Sequence, residues 1–211
     1  YTQEIPKEIR NKERHFIFTA DSKNKKNKFI HSIDARDYKT KFSGYRYNIT
    51  FAGNPARENR EKILAKLIYN FGTINIYCRS FDFYKSLEDI EKSKLLDEYF
   101  LELYKQSYKG YVDSKKELAQ IYSSTKINID IADEHKKSIN YRILEILAAN
   151  GFLISEYNKE NVKYLDDGKD FETFKTEDEL IDKIKFYMKN LNLAQMISMR
   201  GRRNAVSNFS Y

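Results

Sequence analysis

Short runs of β-branched and aromatic residues alternate with helical stripes across residues 47–191, and this alternation narrows the folds open to the chain. Tyr47-Asn48-Ile49-Thr50-Phe51-Ala52-Gly53 is a β-rich run that stops at a glycine. Residues 58–71 follow with Ile63, Leu64, Leu67, Ile68 and Phe71 on one helical stripe. Ile74 to Cys78 predicts a second strand, and 87–105 a charged helix. Gly110 to Val112 predicts a brief strand, and Ser114 to Tyr122 a helix with Ser114 as its N-cap. Lys126 to Ile131 alternates as a strand does. Ile139 to Ala149 predicts a helix, then Gly151 to Ser155 and Phe171 to Phe174 two more strands. Residues 177–191 form an amphipathic helix with Leu180, Ile181, Ile184, Met188 and Leu191 inward. Strands and helices in this order predict an α/β, Rossmann-like domain with a mainly parallel sheet and helices on both faces. The most polar stretch, Asp21 to Lys28, reads as a loop.

With 17 Tyr and 14 Phe in 211 residues, the chain can bury a sizeable core. No apolar run approaches the ~18 residues of a membrane span. The single Cys78 excludes an internal disulfide and a Cys-rich metal site, and cytoplasmic residence is the expectation. Charge is unevenly placed. Residues 1–46 hold 12 Lys/Arg against 6 Asp/Glu, and residues 197–211 hold Arg200, Arg202 and Arg203 with no acid. Taking +6 and +3 from the total of +7 leaves the body, 47–196, at −2. A nucleic-acid-binding body carries a basic stripe, so no nucleic-acid partner is expected. The basic ends are either solvated tails or contacts for an anionic membrane surface, at its inner face, or for a phosphorylated or lipid-linked acceptor.

A parallel sheet of this kind binds ligands at the carboxyl ends of its strands. After the first strand comes Gly53-Asn54-Pro55-Ala56-Arg57-Glu58-Asn59-Arg60, leading into a helix. Gly53 lets a backbone approach a ligand, the helix start offers free N–H groups, and Arg57 suits a diphosphate. The bland alternative is a turn with a solvated arginine. Neither the dinucleotide fingerprint nor a P-loop is present, so neither NAD nor ATP-hydrolysis chemistry is supported. In a second constellation, the segment Ser138 to Glu145, Ser138, Arg142 and Glu145 are four and then three residues apart, on one helix face. Ser138 and Arg142 suit phosphate, and Glu145 can accept from two vicinal hydroxyls of a ribose or sugar. The alternative is a solvated intrahelical Arg142–Glu145 pair.

The ordered series Tyr122-Ser123, Lys126 to Ile129, Ser138 to Glu145, Ala148-Ala149-Asn150-Gly151, Leu165 to Lys169 and Glu179 to Met188 resembles the C-terminal half of the CgeB-like glycosyltransferases, of glycosyl transferases group 1. Upstream, Ile49 to Asn54 is similar to that family's V-x-F-x-G-N strand and turn, and Tyr108 to Val112 to its Y-K-G-Y-V piece. The resemblance covers about 46–211. Ser138 stands where the family usually has Gly, and Asn150 where it has Cys. The related E-x7-E motif needs a carboxylate at position 137, which is Lys137, with Asp133 and Glu134 out of register.

The resemblance implies one half of a GT-B fold that binds a nucleotide diphosphate sugar and transfers the sugar to an acceptor. Glu145 would bind the ribose; Arg142, with Gly53, Asn54 and Arg57, would surround the diphosphate. Arg142 would also be the catalytic residue, stabilising the leaving diphosphate. Tyr111 and Val112 would flank the base, and Ser138 and Asn140 would line the donor pocket. No cofactor and no metal are expected: no D-x-D triplet occurs, and His15, His31 and His135 are scattered. Residues 1–46, including Phe29 to Asp34, would be an approach segment, 47–191 the donor-binding domain, and 192–211 a tail crossing to an N-terminal, acceptor-binding half that 211 residues do not accommodate. Alone, the chain would then be close to inactive. The other reading is a catalytically idle sugar-nucleotide-binding or assembly module of a surface-polysaccharide protein.

Overall fold

The computed structural model describes residues 32–57, 60–132 and 139–210. Ser138, the three histidines, Asp133, Glu134, Lys137, the Asp21–Lys28 stretch and Phe29 to His31 lie outside the described residues.

Five strands form one all-parallel sheet: β1 (Tyr47–Ala52), β2 (Asn75–Tyr77), β3 (Thr125–Asp130), β4 (Leu153–Glu156) and β5 (Glu172–Phe174). Seven helices accompany them among the described residues: α1 (Arg60–Phe71), α2 (Ser80–Lys92), α3 (Glu98–Gln106), α4 (Lys115–Ser123), α5 (Tyr141–Ala148), α6 (Glu177–Lys189) and α7 (Leu191–Phe209). The strand order is β2-β1-β3-β4-β5, with Phe51 opposite both Ile76 and Ile129. The chain therefore leaves β1 to one side, returns past it, and continues on the other side. The expected Rossmann-like α/β sheet is the observed one.

Alternation along the strands explains the two cores. Ile49, Phe51, Ile127, Ile129 and Ile154 pack with Leu64, Leu67, Ile68, Leu180 and Ile184 of α1 and α6. The opposite face is covered by α4, α5 and α7, where Tyr122, Ile143, Leu144, Leu147 and Ala205 cluster with Leu153. That face carries polar strand residues. They are buried and paired. The hydroxyls of Thr50 and Thr125 are 2.9 Å apart, and the Asn128 amide donates to the carbonyls of Tyr122 and Phe152, both at 3.1 Å.

Four expectations need correction. The charged stretch 87–105 is two helices, α2 and α3. Leu95 N–H donates to Ile90 O and Lys94 N–H to Glu91 O, a Schellman stop with Lys94 at φ 51°, where glycine usually sits. Asp97 then caps α3 by accepting from Phe100 N–H at 3.0 Å. Gly110 to Val112 is loop: Cys78 N–H donates to Gly110 O at 2.9 Å, the chain then leaves the sheet edge, and Tyr111 and Val112 hang over the strand ends. The helix expected from Ile139 begins at Tyr141, because Asn140 accepts from Arg142 N–H at 3.2 Å and caps it. The helix expected to reach 191 ends at Lys189 and is followed at once by α7.

The segments outside the strand–helix alternation also dock on the domain. Ile33 N–H donates to Phe209 O at 2.8 Å, and Ile33 and Tyr38 are fully buried. Helix α7 crosses close to the turn before β5: a Cβ on Gly201 would lie 2.1 Å from Asp170 O. Arg200 reaches Asp166 and Asp170, each at 3.1 Å.

Candidate functional site

The strand order reverses between β1 and β3, and a crevice opens at their carboxyl ends, as such a switch point requires. Its floor is the turn after β1. Gly53 N–H donates to Tyr77 O at 3.0 Å, and a Cβ there would press on the Phe51 ring at 3.3 Å. Arg60, at the start of α1, is buried. Its guanidinium donates to Asn54 O at 3.0 Å and Ile131 O at 2.8 Å, tying the loop after β1 to the loop after β3.

Two cavities meet on this floor. One, of about 200 Å³, is lined by Tyr77, Cys78, Arg79, Asp82, Tyr111 and Val112. The other, of about 230 Å³, is lined by Arg57, Arg60, Asp130, Asn140, Tyr141 and Glu145. Ala52, Gly53, Asn54 and Arg142 line both. Arg142 stands at the junction, held from behind by its hydrogen bond to the Tyr122 hydroxyl at 2.8 Å and near Glu145, Nε to Oε2 3.9 Å. Burial works against its charge, but Tyr122 and Glu145 favour it, and the net pKa shift is upward.

Glu145 is only 7% exposed. Its Oε1 accepts from the Tyr38 hydroxyl at 2.7 Å. Burial pushes its pKa up, opposed by Arg142 and Tyr38. One carboxylate oxygen is thus engaged, leaving Oε2 as the oxygen Tyr38 does not hold. Asp130, at the end of β3, is buried as well. It accepts from the Asn140 amide at 2.8 Å and from the Ser155 hydroxyl at 3.2 Å. Burial pushes its pKa up, against the pull of Arg60 and Arg142. Burial also pushes the Cys78 thiol up to about 12, so it stays protonated and is no nucleophile.

The structure brings Gly53, Asn54, Arg57, Asn140, Arg142 and Glu145 around one cavity, and Tyr111 and Val112 beside Arg142 in the other. Asn54 and Asn140 line the cavity, and their side chains also have partners within the domain. The Asn54 amide donates to Asp82 at 2.8 Å while its oxygen accepts from Ala56 N–H, so the side chain shapes the turn. Asn140 is occupied by Asp130 and the α5 cap. Arg79 stacks over the half-exposed Tyr111 ring at 5.5 Å.

Arg60, Asp130, Tyr38 and Arg79 were given no site role from sequence, and Tyr122 entered only as part of the Tyr122-Ser123 motif, without a role in the site. Asp130 carried a signal, as the carboxylate that ends an alternating strand. Tyr38 reaches Glu145 from 107 residues away and carried none, and Tyr122 reaches Arg142 from 20 residues away with a motif match that gave it no role. Among the described residues no group of three His, Cys, Asp or Glu is placed to hold a metal ion.

The fold and the crevice can be set beside known proteins. No curated protein matches the sequence at a significant level. Among solved structures the chain is similar to a glycosyltransferase from Rickettsia africae, at 14% identity, TM-score 0.63, over 85% of this chain and 52% of that one. HepE of Anabaena, crystallised with UDP-glucose, is similar at 12% identity and TM-score 0.62, over 85% of this chain and 52% of HepE. The C-terminal domain of the group 1 glycosyltransferase LpcC from Francisella tularensis is similar at 13% identity and TM-score 0.60, over 84% of this chain and 98% of that domain. The chain thus spans about half the length of the first two and nearly all of the third. At such identities the likeness establishes a shared fold, one Rossmann-like half of the GT-B arrangement. A profile of the glycosyl transferase-like family matches residues 57–211. Many α/β proteins share a sheet of this order, and it is the profile match over most of the chain that separates them: the chain belongs to the glycosyl transferase-like family.

Proposed function

We propose that the chain binds a nucleoside diphosphate sugar in the β1/β3 crevice, as the donor-binding half of a CgeB-like GT-B glycosyltransferase. The carrying observation is Arg142, fixed by Tyr122 at the junction of two cavities, with Gly53 leaving the floor open beneath it. HepE, similar in fold, has been crystallised with UDP and with UDP-glucose. In this reading the base lies against Tyr111, Val112 and Arg79. The diphosphate lies over Gly53 within reach of Arg142 and Arg57, and ribose hydroxyls donate to Glu145 Oε2. Asn54 and Asn140 hold the turn and the α5 start in place. As the glycosidic bond breaks, charge builds on the departing diphosphate, and Arg142 stabilises it without a metal ion. Residues outside this domain supply the acceptor site.

Calorimetry with UDP, GDP, ADP and TDP, their sugars and the free nucleosides tests this. One diphosphate series should bind, with the same affinity in EDTA, and Arg142→Ala should lose most of it. An absolute need for manganese, or binding that Arg142→Ala and Glu145→Gln leave unchanged in a folded protein, would place the donor site elsewhere. A nucleotide that binds with neither transfer nor hydrolysis in the longest natural chain would favour the idle module.

A further inference from the structure

From Lys183 to the end of the chain there are six Lys/Arg and no Asp or Glu. The structure folds this stretch into the last half of α6 and the whole of α7. One stripe of α7 is buried: Ala194, Ile197, Ser198, Gly201, Ala205 and Phe209. The opposite stripe carries Leu193, Met196 and Met199 at three-residue spacing, then Arg203 four residues on, so these share one outward face. Met196 is 68% and Met199 55% exposed; on the preceding helix Phe186 is 50% exposed, with exposed Lys185 and Lys189 beside it in sequence. A groove of about 400 Å³ at the α6–α7 junction runs past Met188, Lys189, Leu191 and Leu193. Of the acids of α6, Glu177 and Asp178 lie in its first turn, while Glu179 and Asp182 line a cavity with Phe186, so that ring borders acids as well as Lys185 and Lys189; the last turn of α6 and the whole of α7 carry none. Among the described residues no helix is long and apolar enough to cross a membrane.

We propose that this outer face of α7, with the last turn of α6, docks on an anionic lipid surface. Large apolar side chains standing in water among cations are what an interfacial helix presents to headgroups and the first acyl carbons. Charge decides between occupants. A second copy seated on the same face by two-fold symmetry would bring Lys189 and Arg203 against their own kind, with no acid of α7 or of the last turn of α6 in between. A nucleic acid would satisfy the cations but leave Met196, Met199 and Leu193 without a purpose. Anionic headgroups meet the cations while the apolar side chains enter the interface. Arg200 takes no part, because Asp166 and Asp170 hold it.

The test is sedimentation of the 211-residue chain with vesicles of phosphatidylcholine, alone or mixed with phosphatidylglycerol. Binding should require the anionic lipid and weaken with salt. The triple substitution Met196→Glu, Met199→Glu, Arg203→Glu should weaken it about tenfold or more. The milder pair Met196→Ser and Met199→Ser should weaken it less, and circular dichroism and Tm should show both variants folded. Absence of binding to mixed vesicles, or binding that the triple variant leaves unchanged, overturns the proposal. So does a mixed-sequence DNA duplex that binds more tightly than the vesicles and loses as much on Arg203→Glu. A dimer in solution that the triple variant dissolves, with no vesicle binding, would assign the face to a second copy and overturn it equally.

Discussion

Tyr38 and Glu145 meet across 107 residues of chain, and the hydrogen bond between them sets how the carboxylate works. Burial raises the Glu145 pKa, while Tyr38 and Arg142 hold it down. Removing the donor in Tyr38→Phe should raise it further. Nucleoside binding needs the ionised carboxylate, so affinity should fall as pH falls through the Glu145 pKa, and the midpoint of that loss should move to higher pH in Tyr38→Phe. Calorimetry with the free nucleoside reads this without a titrating phosphate; an unmoved midpoint would mean that Tyr38 only fills space. For stability the sign is the reverse. A carboxylate whose pKa is raised by folding favours the folded state below its ordinary range, and that contribution is lost as pH rises through the raised value. Glu145→Gln keeps the shape, removes the charge, and should weaken nucleoside and nucleotide-sugar alike by about 1–2 kcal/mol. Arg142→Ala should spare the nucleoside, strongly weaken the diphosphate, and flatten the salt dependence of its binding. Equal losses on both ligands from both variants would reduce the pair to a structural ion pair.

At the scale of elements, α5 is aimed by its first turn. Asn140 caps it, and the same side chain donates to Asp130 at the end of β3, so strand and helix are held in register beside the crevice. Asn140→Ala should cost about 1–2 kcal/mol in urea unfolding through the lost cap, and should weaken nucleotide binding because Arg142 rides on the same turn. A variant of unchanged stability would show the cap to be dispensable. The far end of α5 closes with Asn150 at φ 63° in a Schellman stop, Gly151 N–H to Ile146 O at 2.9 Å. A Cβ on Gly151 would lie 2.8 Å from the Asn128 amide. Helix α7 depends on a similar near-contact. Gly201→Val must push it off Asp170 O, so urea unfolding should show a loss of several kcal/mol, about 3 on the scale of overpacked cores.

For the whole molecule, a ligand bound across β1 and β3 links the two halves of the sheet. Nucleotide at about 100 times its Kd should add about 2.7 kcal/mol to stability, seen as a raised Tm that Arg142→Ala abolishes. A Tm unmoved at saturating nucleotide would count against the crevice.

Local chemistry was enough for much of this protein. Periodicity alone placed the five strands of the sheet and most helices, because a half-buried strand repeats every two residues and a packed helix every three or four, but it also read a strand at Gly110 to Val112 where the chain is loop. The turn after β1 and the polar face of α5 were legible in the same way, since Gly53, Arg57, Arg142 and Glu145 stand close to elements whose ends the sequence marks. Three things needed the tertiary structure. The stop at Lys94 uses a left-handed residue that no propensity marks. The polar strand residues Thr50, Thr125 and Asn128 find their partners only once the sheet is assembled and α4 and α5 cover it. The site itself is completed from a distance: Tyr38, Tyr122 and Asp130 fix Glu145, Arg142 and Asn140 through contacts that exist only after the sheet has closed. Hydrogen bonds between residues far apart in sequence leave no period to read, which is why the residues that line the crevice were visible beforehand and most of the contacts that hold them were not.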